Sequence, residues 1–296
     1  MLNRAATLER PGAQMLRDYF DLSKPGIGFY AVITTFTSFW LATIGTLDFW
    51  LLAHTLLATA LVTAGGGALN QVMEIQADSE MRRTEKRPLP SGRVSADLAL
   101  AFGVITSIGG VLWLYLSVNG LTALLAILTL IGYLFVYTPL KKTTHLATII
   151  GAFPGAIPIL IGWTAVTNSI DARGWVLFGI LFLWQIPHFL AIAWMYRNDY
   201  ARAGFPMLTV VKPDGIQTGY QSVVYLVALI PLSLLPTIQG MTGILYFSGA
   251  LTLGLLFFVT GVGIALRRDN PSAKRLLLAS IVYLPVLLVL MIIDKV

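Results

Sequence analysis

The 296-residue sequence predicts an all-α polytopic membrane protein with nine transmembrane helices. Apolar residues make up 56% of the chain and charged residues only 11%, a composition far from that of a soluble domain. Nine apolar stretches approach or exceed the ~20 residues that a helix needs to cross a bilayer. They cover residues 26–46, 49–72, 97–117, 121–140, 146–166, 174–196, 221–239, 243–266 and 276–293. No strand-type alternation with turn signals is found, so a transmembrane β-barrel is not expected.

The nine stretches predict one transmembrane domain over residues 26–296, preceded by a cytoplasmic segment over residues 1–25. That segment lacks the apolar core of a cleavable signal peptide. It is expected to lie on the membrane surface, with Leu16, Tyr19 and Phe20 on one side. The sequence has no cysteine, which excludes disulfides and thiolate metal ligands.

The basic residues predict the orientation of the helices. If the N-terminus is cytoplasmic, all but two of the 20 basic residues fall on the cytoplasmic side, the exceptions being Arg173 and Lys295. This distribution follows the positive-inside rule and places the C-terminus outside the cell (plasma) membrane. It also accounts for the net charge of +6, so the lipid bilayer is the expected partner and a nucleic acid is not.

The acidic residues indicate where the function lies. None of the 14 falls in the middle of a predicted span, which argues against a proton-driven transporter. The two long polar loops, residues 73–96 and 197–220, both fall on the predicted cytoplasmic side. We therefore expect the functional site at that face.

The first polar loop begins with a regular pattern of oxygen-bearing side chains. Asn70, Glu74 and Asp78 recur every four residues, so a continuous helix would place them on one face at about 6 Å per step. Such ligands suit Mg²⁺, which binds through a few carboxylates and through substrate phosphates. Cations that include Arg83 and Arg87 follow at once and predict a phosphorylated ligand. A solvated basic loop would explain the cations alone, but not the acidic face.

The second polar loop carries a similar group, Arg197, Asn198 and Asp199, after the sixth predicted span. The equivalent placement predicts that the two loops face one metal–phosphate centre. For Asp199 alone, an ordinary turn residue is an equal alternative. Lys141 and His145 add a third polar group on the same side, between the fourth and fifth spans.

Together these motifs resemble the UbiA superfamily of intramembrane prenyltransferases, and within it the protohaem IX farnesyltransferase (haem O synthase) family. Eight residues match the first motif of that family: Asn70, Glu74, Asp78, Met81, Arg83, Thr84, Arg87 and Gly92. Ala77 departs from the large apolar residue expected there, and the second aspartate-rich motif is reduced to Asn198-Asp199. The matching runs extend over residues 24–208 and include Lys24-Pro25 and the segment from Trp184 to Phe189.

The resemblance implies transfer of a farnesyl group from farnesyl diphosphate to the 2-vinyl group of haem B, giving haem O and diphosphate. It implies a Mg²⁺ cofactor held by these residues: Asn70, Glu74, Asp78 and Asp199. The diphosphate is then expected on these cations: Arg83, Arg87, Lys141 and Arg197. His188 and His145 are candidate haem-binding residues, although a structural role for His188 beside Pro187 is equally compatible. A haem A synthase or a terminal oxidase is a candidate assembly partner.

Three other classes fit parts of the sequence. A UbiA-type enzyme could act on a quinone precursor or another aromatic acceptor, but the Met81 to Arg87 continuation and the Pro187-His188 pair favour haem. A CDP-alcohol phosphotransferase would carry paired aspartates before a Gly–Ala–Arg run, which this sequence lacks. A transporter would need ionisable residues within its spans or matching halves, and neither is evident.

Overall fold

The computed structural model describes residues 11–296, and every regular element in that range is a helix. We number the helices in chain order. They are α1 (Pro11–Leu22), α2 (Pro25–Ala42), α3 (Phe49–Met73), α4 (Ile75–Glu80), α5 (Ala96–Ser117), α6 (Gly120–Leu140), α7 (Ala147–Thr167), α8 (Ala172–Met195), α9 (Arg197–Arg202), α10 (Leu208–Val211), α11 (Ile216–Ile238), α12 (Ile244–Arg267) and α13 (Asn270–Ile293). The all-α membrane fold class is confirmed, and one long helix occupies each predicted span.

Eight of the nine long helices between residues 11 and 296 are long and apolar enough to span a membrane. The ninth long helix, α2, is less apolar than the other eight. Its buried face carries hydroxyl groups at Thr34, Thr35, Thr37 and Ser38. Thr35 Oγ1 donates to the carbonyl oxygen of Pro158 on α7 at 2.8 Å, and the remaining three donate within α2. The hydroxyls are therefore satisfied inside the bundle, where a purely apolar face is not needed.

Helices α7 and α8 form the centre of the bundle and are more buried than any other long helix among the described residues. On α7, Gly162 lies directly against α2: a Cβ atom there would sit 2.0 Å from the carbonyl oxygen of Thr35. A close helix–helix approach over a glycine is typical of packing within membranes. The contact fixes α2, whose first turn reaches the polar centre described below.

Replacing Gly162 by alanine is expected to destabilise the bundle, by about 1–3 kcal/mol if the two helices separate slightly to relieve the overlap. Gly263→Ala on α12 is the matched control, since nothing lies within 4 Å of the added carbon there. Thermal unfolding in detergent should show a lower midpoint for Gly162→Ala and an unchanged or slightly higher one for Gly263→Ala. Equal midpoints for the two variants would contradict the close α2–α7 contact.

The one irregular turn among the long helices of the described chain lies in α6, where Gly132–Tyr137 forms a π-helix. A Cβ on Gly132 would lie 3.4 Å from the Pro154 side chain of α7, so the segment packs on that proline. Helix α7 itself is continuous through Pro154 and Pro158. The π segment brings Tyr133 and Tyr137 together in a stacked pair with ring centroids 5.7 Å apart. Such segments occur frequently at functional sites.

Candidate active site

The predicted acidic face lies at the end of α3, where the helix is interrupted at a single residue. Glu74 has φ −111° and ψ 12°, so it separates α3 from α4 instead of continuing one helix. The i to i−4 hydrogen bonds nevertheless cross the break, from Glu74 N to Asn70 O at 3.1 Å and from Asp78 N to Glu74 O at 2.8 Å. The side chains of Asn70, Glu74 and Asp78 therefore remain on the same face across the break. Asn70, Glu74 and Asp78 are 2%, 3% and 1% exposed.

Glu74 forms a buried ion pair with Lys141, which follows the last turn of α6. The Lys141 ammonium lies 3.2 Å and 3.3 Å from the two carboxylate oxygens. The same ammonium lies 4.4 Å from the ring centre of Phe205, in the second polar loop. Lys141 thus connects the first polar loop to the second.

Asp78 pairs with Arg87 through only one of its oxygens. Asp78 Oδ2 accepts from the Arg87 guanidinium at 2.7 Å, and Thr84 Oγ1 donates to the Asp78 backbone carbonyl at 2.8 Å. Asp78 Oδ1 is buried and has no hydrogen-bond partner within the described part of the chain. A buried carboxylate oxygen without a donor is costly, so this atom is placed to accept a ligand.

Asn70 is held by groups from two other helices. Its Nδ2 donates to Thr138 Oγ1 at 2.8 Å, and its Oδ1 accepts from Lys24 Nζ, which also contacts the Tyr133 hydroxyl at 3.2 Å. Lys24 precedes α2 in a left-handed conformation with φ 50°, which is uncommon for a residue other than glycine. Lys24-Pro25 and the run from Tyr137 to Lys141, which contains Thr138, belong to the family resemblance but carry no predicted role for Lys24 or Thr138, and Tyr133 lies outside the matching runs.

The electrostatic balance of this centre favours an additional anion. Two cations are paired with the two carboxylates, whereas the described residues supply no carboxylate to Lys24. Burial lowers the pKa of Lys24 to about 7, and the Arg87 guanidinium contributes to the same shift, whereas Glu74 opposes it. A bound anion would stabilise the charged form of this lysine. The arrangement is suited to a phosphate-bearing ligand.

The second polar loop packs against the first. Buried apolar side chains from both loops form one cluster together with Ala193 of α8; the loop members are Ala77, Met81, Tyr200, Phe205 and Met207. Above it, the Arg83 guanidinium lies over the rings of Tyr196 and Tyr200 at 4.9 Å and 5.7 Å. Asp199 Oδ2 accepts from the Arg83 backbone N–H at 3.4 Å, while Asp199 Oδ1 pairs with Arg202.

The remaining predicted site residues lie elsewhere. The Arg197 guanidinium donates to the Trp194 carbonyl and to Asn270 Oδ1, both at 2.8 Å, so it ties α9 to the start of α13. His145 is half-buried in the loop after α6. His188 lies within α8, where its Nδ1 is 2.7 Å from Ser280 Oγ.

The donor set of the centre fits Mg²⁺ without forming a closed cage. No three histidine or acidic side chains come together as a metal cluster between residues 11 and 296. The centre does offer an amide oxygen, two carboxylates and the open Oδ1 atom of Asp78 on one face. Mg²⁺ commonly uses one or two carboxylates and takes its other ligands from water and substrate phosphate. These residues can hold the ion when a diphosphate supplies the remaining oxygens.

A bundle of apolar helices with a buried centre of carboxylates and cations at one end is the arrangement expected of an intramembrane enzyme. Residues 31–283 match the model of the UbiA prenyltransferase family. The chain therefore belongs to the UbiA prenyltransferase family and is a multi-pass membrane enzyme, a prenyltransferase.

Curated relatives define the group within this family. A "Protoheme IX farnesyltransferase" of Solibacter usitatus is 47% identical over 289 residues, which cover 95% of this chain and 99% of the relative. A protein of the same name from Salinibacter ruber is 45% identical over 280 residues, again covering 95% and 99%. Within the UbiA family, the chain belongs with these protoheme IX farnesyltransferases.

Solved structures confirm the fold. One described as digeranylgeranylglyceryl phosphate synthase in membranes superposes with a TM-score of 0.79 at 19% identity, covering 95% of this chain and 98% of that one. A UbiA homologue from Archaeoglobus fulgidus bound to GPP and Mg²⁺ gives a TM-score of 0.64 at 13% identity, with coverage of 93% and 99%.

Proposed function

We propose that the chain transfers the farnesyl group of farnesyl diphosphate to the 2-vinyl group of haem B, giving haem O and diphosphate. The observation that carries the proposal is the buried centre at the end of α3, where three oxygen-bearing side chains on one helix face meet three cations. The names of the curated relatives support the farnesyl donor and the haem acceptor. The structure of the Archaeoglobus fulgidus homologue with GPP and Mg²⁺ supports a prenyl diphosphate and this metal.

Asn70, Glu74 and Asp78 are the residues that we propose hold Mg²⁺, with Asp199 approaching from the facing loop. When bound, the ion would supply Lewis-acid stabilisation to the leaving diphosphate. Asp78 Oδ1 is the first oxygen available to it, since no donor of the described chain occupies that atom. Glu74 lies one turn earlier on the same face.

The cations bind and neutralise the diphosphate. Lys141 and Arg87 lie beside the two carboxylates, and Lys24 reaches the same centre from the start of α2. Arg83 supplies a further exposed cation at the loop surface. As the bond from farnesyl C1 to the ester oxygen of the α-phosphate breaks, the departing diphosphate gains charge that these preorganised groups stabilise. Arg197 would join these cations in binding the diphosphate once its hydrogen bond to Asn270 Oδ1 breaks.

The allylic fragment left behind is cation-like, and the vinyl group of haem B attacks it. The stacked rings of Tyr133 and Tyr137 adjoin the polar centre, where the Tyr133 hydroxyl contacts Lys24 Nζ at 3.2 Å, and aromatic π faces stabilise positive charge. The buried surroundings limit early capture by water. One water molecule then adds to the product cation on the former vinyl group and loses a proton, which gives the hydroxyethyl-farnesyl substituent.

We further propose that His188 and His145 contact the haem, and that both polar loops face the cytoplasm with the C-terminus outside. The strong bias of basic residues towards the loop side supports this orientation. Farnesyl diphosphate would then reach the centre from the cytoplasm. Haem O would leave through the membrane, towards a haem A synthase or a terminal oxidase.

Removal of divalent metal tests the metal and the acceptor together. Purified protein in lipid nanodiscs is incubated with haem B and farnesyl diphosphate, and products are separated by chromatography with mass detection. Haem O should form with Mg²⁺, fall to background in excess EDTA, and return when Mg²⁺ is added back. Undiminished turnover without divalent metal would exclude the proposed metal role. Prenylation of a quinone precursor with no haem product would reassign the acceptor.

A further inference from the structure

His188 makes contacts that fix the protonation of its ring. Its Nδ1 lies 2.7 Å from Ser280 Oγ on α13. The Ser280 hydroxyl has one hydrogen, which it donates to the Leu277 carbonyl oxygen at 2.6 Å. The serine oxygen must therefore accept from the imidazole, so Nδ1 carries the proton and Nε2 carries a lone pair. Within residues 11–296, no hydrogen-bond partner engages Nε2.

The ring is also held in a fixed orientation. It stacks on Trp184 with ring centroids 5.1 Å apart and an interplanar angle of 23°, and Phe189 meets it edge-on at 5.5 Å. Trp184 Nε1 donates to the Ser280 backbone carbonyl at 2.9 Å, so one serine anchors both rings. Ser280 is fully buried.

His188 lies at a depth suited to an acceptor beneath the diphosphate centre. Trp184 contacts Tyr30 of α2 with centroids 6.0 Å apart. Tyr30 follows Lys24, which touches Asn70, by six residues, or about 9 Å of helix rise. Trp184 therefore lies about two turns below the centre. His188 follows it by four residues on α8, towards the second polar loop, so it lies about one turn nearer to the centre, flanked by the rings of Trp184 and Phe189.

We propose that His188 Nε2 is an axial ligand of the haem iron, with Ser280 as the positioning residue that holds the Nδ1–H tautomer. The inference rests on the proposed function, since it places the acceptor of that reaction. Neutral imidazole binds haem iron through one nitrogen. Metal-binding histidines almost always donate their other ring N–H to a fixed acceptor, which is the role of the Ser280 oxygen.

Haem binding without a prenyl donor tests the assignment. Purified protein in nanodiscs is titrated with haem B, and absorption and resonance Raman spectra are recorded. The wild type should give a histidine-ligated spectrum, which His188→Ala loses and added imidazole restores. His54→Ala is the matched control and should keep the wild-type spectrum, because His54 lies near the start of α3, far from the polar centre at its end, and its Nδ1 accepts from Trp113 Nε1 at 2.7 Å.

Ser280 provides the second, independent test. Ser280→Ala should weaken haem binding about 10- to 100-fold, as for other partners of metal-binding histidines, and should shift the iron–histidine stretching frequency. Ser280→Thr retains the hydroxyl and should stay close to wild type. If His188→Ala does not insert, an unshifted iron–histidine frequency in Ser280→Ala overturns the inference.

The two proposals fail in different ways. If the wild type makes haem O while His188→Ala keeps the wild-type haem spectrum, the axial ligand is wrong and the proposed function stands. If the wild type neither binds haem nor forms haem O, the proposed function fails, and the ligand assignment fails with it.

Discussion

Asp78→Asn is expected to lower farnesyl transfer by at least about 100- to 1000-fold, the scale measured when one preorganised charge-stabilising group is lost from other active sites. The substitution removes the carboxylate whose Oδ1 we propose as a metal ligand and leaves Arg87 without its anionic partner. Haem O formation at saturating Mg²⁺ and farnesyl diphosphate measures the effect.

Glu85→Gln is the matched control for Asp78→Asn. Glu85 lies in the same loop, is exposed and forms no ion pair within the described residues. It should keep wild-type activity, and both variants should be inserted in the membrane at wild-type level. Full turnover by inserted Asp78→Asn would remove Asp78 from the metal site.

Lys141→Met is expected to damage both stability and activity, because it leaves the Glu74 carboxylate buried without a partner. Removing one member of a buried ion pair typically costs about 3–5 kcal/mol. The double variant Glu74→Gln, Lys141→Met removes the uncompensated charge. It should recover most of the thermal stability while remaining inactive, because the metal ligand and the diphosphate cation are both gone.

Comparing Lys141→Met with the double variant Glu74→Gln, Lys141→Met separates the loss of thermal stability from the loss of activity. Thermal unfolding in detergent and haem O formation are measured on the same preparations. Lys142→Met, at an exposed position one residue away, should leave both unchanged. An active double variant would mean that the Glu74–Lys141 pair is only a structural element of the loop.

The sequence predicted the helices well because each span is specified by its own local composition. Seven of the nine long helices begin and end within four residues of the predicted boundaries, whereas α11 and α13 begin five and six residues earlier than predicted. Helix α2 keeps its place although buried hydroxyls reduce its apolar character. The Asn70, Glu74 and Asp78 face was also predictable, since a four-residue spacing keeps side chains in phase even where Glu74 interrupts the helix.

The partners of those side chains could not be read from spacing. Glu74 and Lys141 are 67 residues apart, and Lys24 and Asn70 are 46 apart, so only tertiary packing brings them together. Charge alone assigned Arg197 to the diphosphate, whereas Asn270 at the start of α13 holds it in this structure.

Two further features depend on contacts between helices. Helix α7 stays regular through Pro154 and Pro158 although proline removes a backbone donor, whereas the irregular turn lies in the neighbouring α6, where Gly132 packs on Pro154. The serine that fixes the His188 tautomer is 92 residues away on α13. Neither feature leaves a local signal in the sequence.

The central claim is that the buried face at the end of α3 holds a metal ion that contacts the prenyl diphosphate. Mn²⁺ accepts the same oxygen ligands as Mg²⁺ and is visible by electron paramagnetic resonance. With a non-hydrolysable farnesyl thiolodiphosphate, wild-type protein in nanodiscs should bind Mn²⁺ with hyperfine coupling to ³¹P, and Asp78→Asn should lose that signal. Mn²⁺ bound without phosphorus coupling, or coupled equally in Asp78→Asn, would contradict the account.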